Sequence, residues 1–169
     1  TQGWINTMDS TSNVRGTPPY IVATVSGACN TLTTVCTNYK VAKFLGPGTF
    51  CVSNSGNPTG SNTVDYMVVA GGGGGGAHGG AGGGAGGFRE SPGTASGCYT
   101  ASPRGVAPAV ALPVSVQGYP IDVGGGGPAP DTTTAGTQGS NSVFSTITST
   151  GGGGGAKNTA VGGAGGSGG

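Results

Sequence analysis

Charge is scarce in this chain. Only 7% of its 169 residues are charged, against roughly 25% in ordinary soluble domains. Six Lys and Arg face five Asp and Glu, for a net charge of +1. The basic residues Arg15, Lys40, Lys43, Arg89, Arg104 and Lys157 are scattered. A nucleic-acid binder needs a basic face to neutralise phosphates, so that class is excluded. Long apolar runs are missing too. None approaches the ~20 residues that span a bilayer as a helix, so no membrane insertion is expected. Histidine occurs once, as His78 within a glycine run, and the four cysteines form no CxxC pair. Their spacing does not match a zinc site, and none is expected. No segment repeats its apolar residues at a helical period, so essentially no α-helix is expected.

Catalytic constellations fail as well. The glycine runs match GxGxxG anywhere, but no helix follows to receive a pyrophosphate. No GK[ST] is present, so a P-loop is excluded. Gly165 to Gly169 spells GxSxG, yet a nucleophile elbow needs a turn into a helix and a later acid and His. The lone His78 lies upstream. Nothing brings Asp65, Asp122 and Asp131 together; Asp65 and Asp122 sit in strands before glycine runs and are read as outward and structural. We expect no enzyme, no cofactor and no metal.

What is abundant is glycine: 41 residues, seven before Gly71 and 34 from there on. That step divides the chain into an N-terminal arm (1–16), a small β module (17–70) and a glycine-rich domain (71–169). Trp4 in the arm is read as an anchor. The chain opens on Thr1 and stops within a glycine tract, and is read as a piece of a longer protein or as its ordered part.

In the β module, Tyr20 to Val25 follows two prolines and is β-branched enough for a strand. Tyr39 to Leu45 alternates, with Tyr39, Val41, Lys43 and Leu45 on one face. Gly46-Pro47-Gly48 is predicted to turn it back into Thr49 to Ser53 as a hairpin partner. Val64 to Ala70 is the strongest strand. Together these predict a small sheet or sandwich.

Strand-then-glycine then recurs. Val64 to Ala70 leads into Gly71, Pro113 to Val123 into Gly124, and Asn141 to Thr150 into Gly151. A flexible linker has no reason to return after each strand. An ordered polyglycine run adopts an extended threefold helix of polyproline II type, with no internal hydrogen bonds. Packed beside neighbours, its amides bond sideways, and bare backbone allows the close approach. The insertions are small: Ala77, Ala81, Ala85, Ala156, Ala164 and Ser167. His78 and Lys157 must then sit on an outer face or in a bend. The fold class is therefore all-β, a small sheet followed by short strands and packed polyglycine helices. With so few apolar side chains, an obligate oligomer with no folded monomer is expected.

Among the cysteines, Cys29 and Cys36 are the favoured disulfide, closing the short loop NTLTTV and contributing roughly 2–3 kcal/mol; reduced thiols are the alternative. Phe88 to Leu112 is predicted to be a long loop. It carries Arg89, Glu90, Tyr99 and Arg104, the first candidates for surface contact. Asp131 to Ser140 is predicted to be a second, polar loop.

Four blocks occur in order: GPGTFCVSNSGNPTGSNTVDYMVVAGGGGGG, GGAGGFRESPGTASGCYTASP, YPIDVGGGG and GSNSVFSTITSTGGGGG. Together, from Tyr39 onward, they resemble the glycine-rich domain of tailed-phage virion proteins, above all those of phages of aquatic bacteria. Relatives often read VGAGG where this chain has Val123 to Gly127, and Thr at Asp122. The resemblance implies a structural tail-fibre or related virion component. It would be assembled as a homo-oligomer in a virion or outside a cell, with other virion proteins and a host-cell surface glycan as partners. Some phage adhesins of this kind pack polyglycine helices beneath variable loops that meet the host. The resemblance carries over no catalytic or contact residue. The alternative is a subunit of an extracellular bacterial filament that polymerises by strand exchange, with 1–16 as the exchanged arm.

Overall fold

The computed structural model describes residues 18–37, 39–93, 110–131, 134–158 and 160–166. The N-terminal arm and Trp4 lie outside them. Eleven strands follow one another: β1 (Ile21–Ser26), β2 (Thr31–Val35), β3 (Tyr39–Lys43), β4 (Gly48–Ser55), β5 (Thr63–Val64), β6 (Met67–Val69), β7 (Phe88–Glu90), β8 (Leu112–Pro113), β9 (Gly118–Asp122), β10 (Ser142–Phe144) and β11 (Ile147–Ser149). No helix occurs among the described residues, and every strand pair is antiparallel. The chain is all-β.

The main sheet has the order β1-β4-β9-β10-β11. It therefore joins strands from both sides of the composition step at Ala70. Alternation along β4 and β9 turns Phe50, Val52, Tyr119 and Ile121 inward, where Ala23 and Val114 complete a compact core. One apolar face and one wet face is the ordinary antiparallel arrangement. Phe50, Tyr119 and Phe144 meet as a triad with ring centroids 6.2–6.4 Å apart. The buried Tyr119 hydroxyl accepts the Ser115 N–H at 2.7 Å, so its polar end is satisfied.

Several local expectations are overturned. NTLTTV is not a loop, because its Thr and Val residues form β2 and pair with β3 from Thr31↔Lys43 to Val35↔Tyr39. The Tyr39 strand thus pairs backwards, and not with Thr49 to Ser53, which lies between β1 and β9. The cause is Asn30. Its side-chain carbonyl accepts the N–H groups of Leu45 and Gly46, and its amide donates to the Ser26 and Pro47 carbonyls. The Gly46-Pro47-Gly48 corner is thereby tied to the β1–β2 junction.

The Val64 to Ala70 strand breaks at Asp65-Tyr66. There the buried Ser91 hydroxyl donates to Asp65 Oδ1 at 2.7 Å and accepts the Tyr66 N–H. Asn141 to Thr150 is a hairpin, β10–β11, turned at Ser145 with φ 55°. Phe88–Glu90 is β7, paired with β6, and Leu112–Pro113 is β8, paired with β5. The predicted long loop is therefore shorter at both ends.

The bridge between Cys29 and Cys36 is not formed. Cys29 is a free thiol, while Cys36 is disulfide-bonded. The two flank β2, which holds them roughly 20 Å apart along an extended backbone. A disulfide needs Cα atoms within about 7 Å.

The glycine runs are ordered, and they lie side by side. We number the bonded segments as columns I (70–77), II (80–87), III (124–128), IV (134–140), V (150–156) and VI (161–166). Ala70, Gly73 and Gly76 donate to Gly87, Gly84 and Ala81, joining columns I and II. Gly71, Gly74 and Ala77 donate to Ser140, Thr137 and Thr134, joining I and IV. Ala81, Gly84 and Gly87 donate to Ala156, Gly153 and Thr150, joining II and V. Gly152 and Gly155 donate to Gly71 and Gly74, joining V and I. Gly127 bonds column III to I, Ser140 bonds IV to III, Gly136 and Gly139 bond IV to V, and Gly163 and Gly166 bond VI to V. These bonds span 2.7–3.2 Å and step by three residues, the period of an extended threefold chain.

The neighbour relations define two layers of three columns, III–I–II over IV–V–VI. Columns I, III and V run parallel, and each leaves a strand: β6, β9 and β11. Columns II and IV run back into β7 and β10. Column V is central, and Gly151 to Ala156 are all buried. The predicted polar loop 131–140 is therefore mostly column IV. Its glycines fall every third residue, Gly136 and Gly139, where they face column I. Its other positions carry Thr137, Gln138 and Ser140.

Candidate interaction surfaces

The column lattice has two ends. The near end stands on the strands. At the far end lie the described residues where columns I, III and V stop, past Ala77, Pro128 and Ala156. His78, Asp131, Lys157 and Asn158 fall between columns there, while Thr137, Gln138 and Ser140 stay within column IV. His78 is exposed in a bend with φ 51°, Asn158 turns with φ 49° next to Lys157, and Asp131 is exposed between columns III and IV. The Ala160 N–H closes the last turn onto the Lys157 carbonyl. His78 and Lys157 thus occupy bends, the places a lattice of bare backbone leaves for large side chains. No group of three metal-ligating side chains occurs among the described residues.

The predicted contact residues divide. Arg89 and Glu90 lie on β7, at the near end. Tyr99 and Arg104 lie outside the described residues. Arg89 is exposed; Glu90 is half-buried, with Oε1 buried and lacking a hydrogen-bond partner. Asp65 and Asp122 are exposed, and Asp65 works structurally through Ser91. A cleft of about 210 Å³ opens between Leu112-Pro113 and the β10–β11 turn. Its walls are Tyr66, Val110, Ala111, Leu112, Pro113, Thr146 and Ile147, which supply no acid–base pair. Cys29 and Cys51 are exposed free thiols. No helix among the described residues is long and apolar enough to cross a membrane.

Two exposed apolar faces were not legible from the sequence. One belongs to the β2–β3 hairpin, where Val35, Tyr39, Val41 and Leu45 stay exposed. The alternation of Tyr39, Val41, Lys43 and Leu45 was legible, but the exposure of that face depends on which strand partners it. The other face lies on the β6–β7 ribbon: Met67 is 68% exposed, Val69 49% and Phe88 47%. Val69 and Phe88 are direct cross-strand neighbours.

A small antiparallel sheet that launches a lattice of glycine columns defines an all-β, glycine-rich structural class. The particular family follows from comparison. A family model described as a glycine-rich domain matches residues 47–169, and the chain belongs to that family. No curated protein and no solved structure matches it.

Proposed function

We propose that this chain is a structural component of a fibrous virion surface, a tail fibre or related tail part, and that it associates with further copies and with other virion proteins. The ordered set of phage-like sequence blocks supports the reading. The observation that carries it furthest is the buried central column, Gly151 to Ala156, bonded on several sides. A pillar cross-bonded in this way is a rigid spacer, and rigidity is what a fibre component supplies. The far-end turns, with His78, Asp131, Lys157 and Asn158, are the surface through which such a pillar would meet a host-cell glycan. Association would use the outer faces of the lattice, where the amides of Gly82, Gly83, Ala85 and Gly86 donate no lateral bond among the described residues.

Labelling native particles with an antibody against the chain tests this by electron microscopy. Label on the tails or tail fibres of virions is expected. Label confined to long bacterial filaments would overturn the virion reading in favour of a filament subunit. Soluble chain should also adsorb to host cells, and Lys157→Glu together with His78→Ala should reduce adsorption.

A further inference from the structure

The rule that explains the glycines inside the lattice leaves some unexplained. In column II, Gly83 and Gly86 face column I so closely that a β-carbon would overlap the carbonyls of Gly73 and Ala70. Gly82 is different: a β-carbon there meets nothing within 4 Å, and its φ is not left-handed. Gly72, Gly75 and Gly126 are similar, because a β-carbon would stand 3.6, 3.8 and 3.5 Å from its nearest neighbour, an ordinary contact. Neither backbone conformation nor intrachain packing requires glycine at these four positions. In column IV the open positions carry Thr137 and Gln138, and in column VI they carry Val161 and Ala164. Apart from Ala85, the outer rows of the III–I–II layer are bare where the other layer is not.

The bare positions continue an apolar patch. Steps of three lead from the exposed Val69 to Gly72 and Gly75, and from the exposed Phe88 back to Ala85 and Gly82. Gly126 extends the surface across column III, and Met67 extends it down the ribbon. Glu90, opposite Met67, marks its lower edge.

Resting on the reading of the chain as a self-associating structural protein, we propose that this face, Met67, Val69 and Phe88 with the outer rows of columns I, II and III, packs against the same face of a second copy. Three features select a second copy over another occupant. The columns between Glu90 and His78 carry no charged side chain, so a charged partner gains nothing there and a like copy is not repelled. Bare backbone stepping in threes best matches bare backbone of the same step, as the interior of this chain already shows. The area also suffices. From the rise per residue and the strand spacing, the face is about 35 by 15 Å. Two such faces bury about 1,000 Å², where specific interfaces begin. A two-fold axis makes the contact self-complementary and closed.

Sedimentation velocity on the full chain, over a range of concentrations, tests this with three variants. Gly82→Leu adds bulk where the single chain has room, and Phe88→Glu adds charge to the apolar patch. Thr137→Leu adds the same bulk to the opposite layer. The unmodified chain and Thr137→Leu should dimerise alike. Gly82→Leu and Phe88→Glu should weaken the dimer by about 10-fold or more, with their monomers melting cooperatively. Two results overturn the proposal. An unmodified chain that stays monomeric at about 100 μM, far above the concentrations at which specific interfaces form, removes the dimer and the self-association reading with it. Association that survives both Gly82→Leu and Phe88→Glu removes this face alone and leaves self-association standing.

Discussion

Gly73 of column I and Gly153 of column V lie so close that a β-carbon on Gly73 would overlap the Gly153 carbonyl. The two residues are 80 positions apart in sequence and belong to different strand-then-glycine units. Their approach makes glycine a packing requirement at Gly73. Gly73→Val should therefore destabilise the chain by at least the ~1–3 kcal/mol typical of overpacking. Gly82→Ala is the matched control, since its β-carbon enters open space. It should be neutral or stabilise by roughly 0.4–1 kcal/mol, by narrowing the unfolded ensemble. Thermal melts of both variants check this. Equal melting of Gly73→Val and the unmodified chain would mean that the columns are spacers.

Amide exchange should follow the same geometry residue by residue. In column II, Ala81, Gly84 and Gly87 donate their N–H groups to column V. Gly82, Gly83, Ala85 and Gly86 donate no lateral bond among the described residues. Protection in the monomer should thus recur every third residue along column II. In column I the donors alternate between two neighbours: Gly71 and Gly74 bond to column IV, and Gly73 and Gly76 to column II. Two of every three amides there should be slow. Hydrogen exchange resolved by NMR measures both patterns. Uniformly fast exchange across 71–76 would contradict the lattice.

How much of this was legible in the sequence depended on the kind of signal. The columns were legible because glycine recurs after each strand and the insertions are small. Column IV was not, because an edge column needs glycine only on its inner row. Gly136 and Gly139 are two glycines in a stretch that otherwise looks like a polar loop. Strand pairing was the weakest inference. Gly46-Pro47-Gly48 looks like a hairpin turn, and only the Asn30 side chain, 16 residues upstream of Gly46, shows why the corner serves another junction. The candidate contact residues were chosen for side-chain variety, a signal blind to whether a residue sits on a strand, as Arg89 and Glu90 do. The apolar face of Met67, Val69 and Phe88 was hidden because exposure belongs to the fold and not to the local pattern.

The Asn30 corner supplies its own test. One side chain serves Ser26, Leu45, Gly46 and Pro47, and a β-carbon at Gly27 or Gly48 would run into its amide. Asn30→Ala leaves these largely exposed groups to find other partners, at a cost of about 0.5–1.5 kcal/mol. Asn30→Asp keeps the acceptor for Leu45 and Gly46 but sets a carboxylate against the Ser26 and Pro47 carbonyls. It should therefore recover little of the loss. Chemical denaturation of both variants, compared with Thr33→Ala on the exposed face of β2, separates the corner from general hairpin weakening. If Asn30→Ala melts with the Thr33→Ala control, the side chain does not organise the junction.

Thiol chemistry tests the ends of β2. Cys29 and Cys51 are exposed and free, whereas Cys36 is disulfide-bonded. A maleimide applied to the native, unreduced chain should label both Cys29 and Cys51 and spare Cys36. Cys36 should label only after reduction. Because Cys29 takes no part in a bridge, Cys29→Ser should leave the melting temperature within the small range of ordinary surface changes, about ±0.5 kcal/mol in stability. Cys36→Ser removes a cross-link and should cost about 2–4 kcal/mol. Peptide mapping by mass spectrometry reads the labels directly. A Cys29–Cys36 linked peptide from the native chain would show that β2 does not hold the two residues apart.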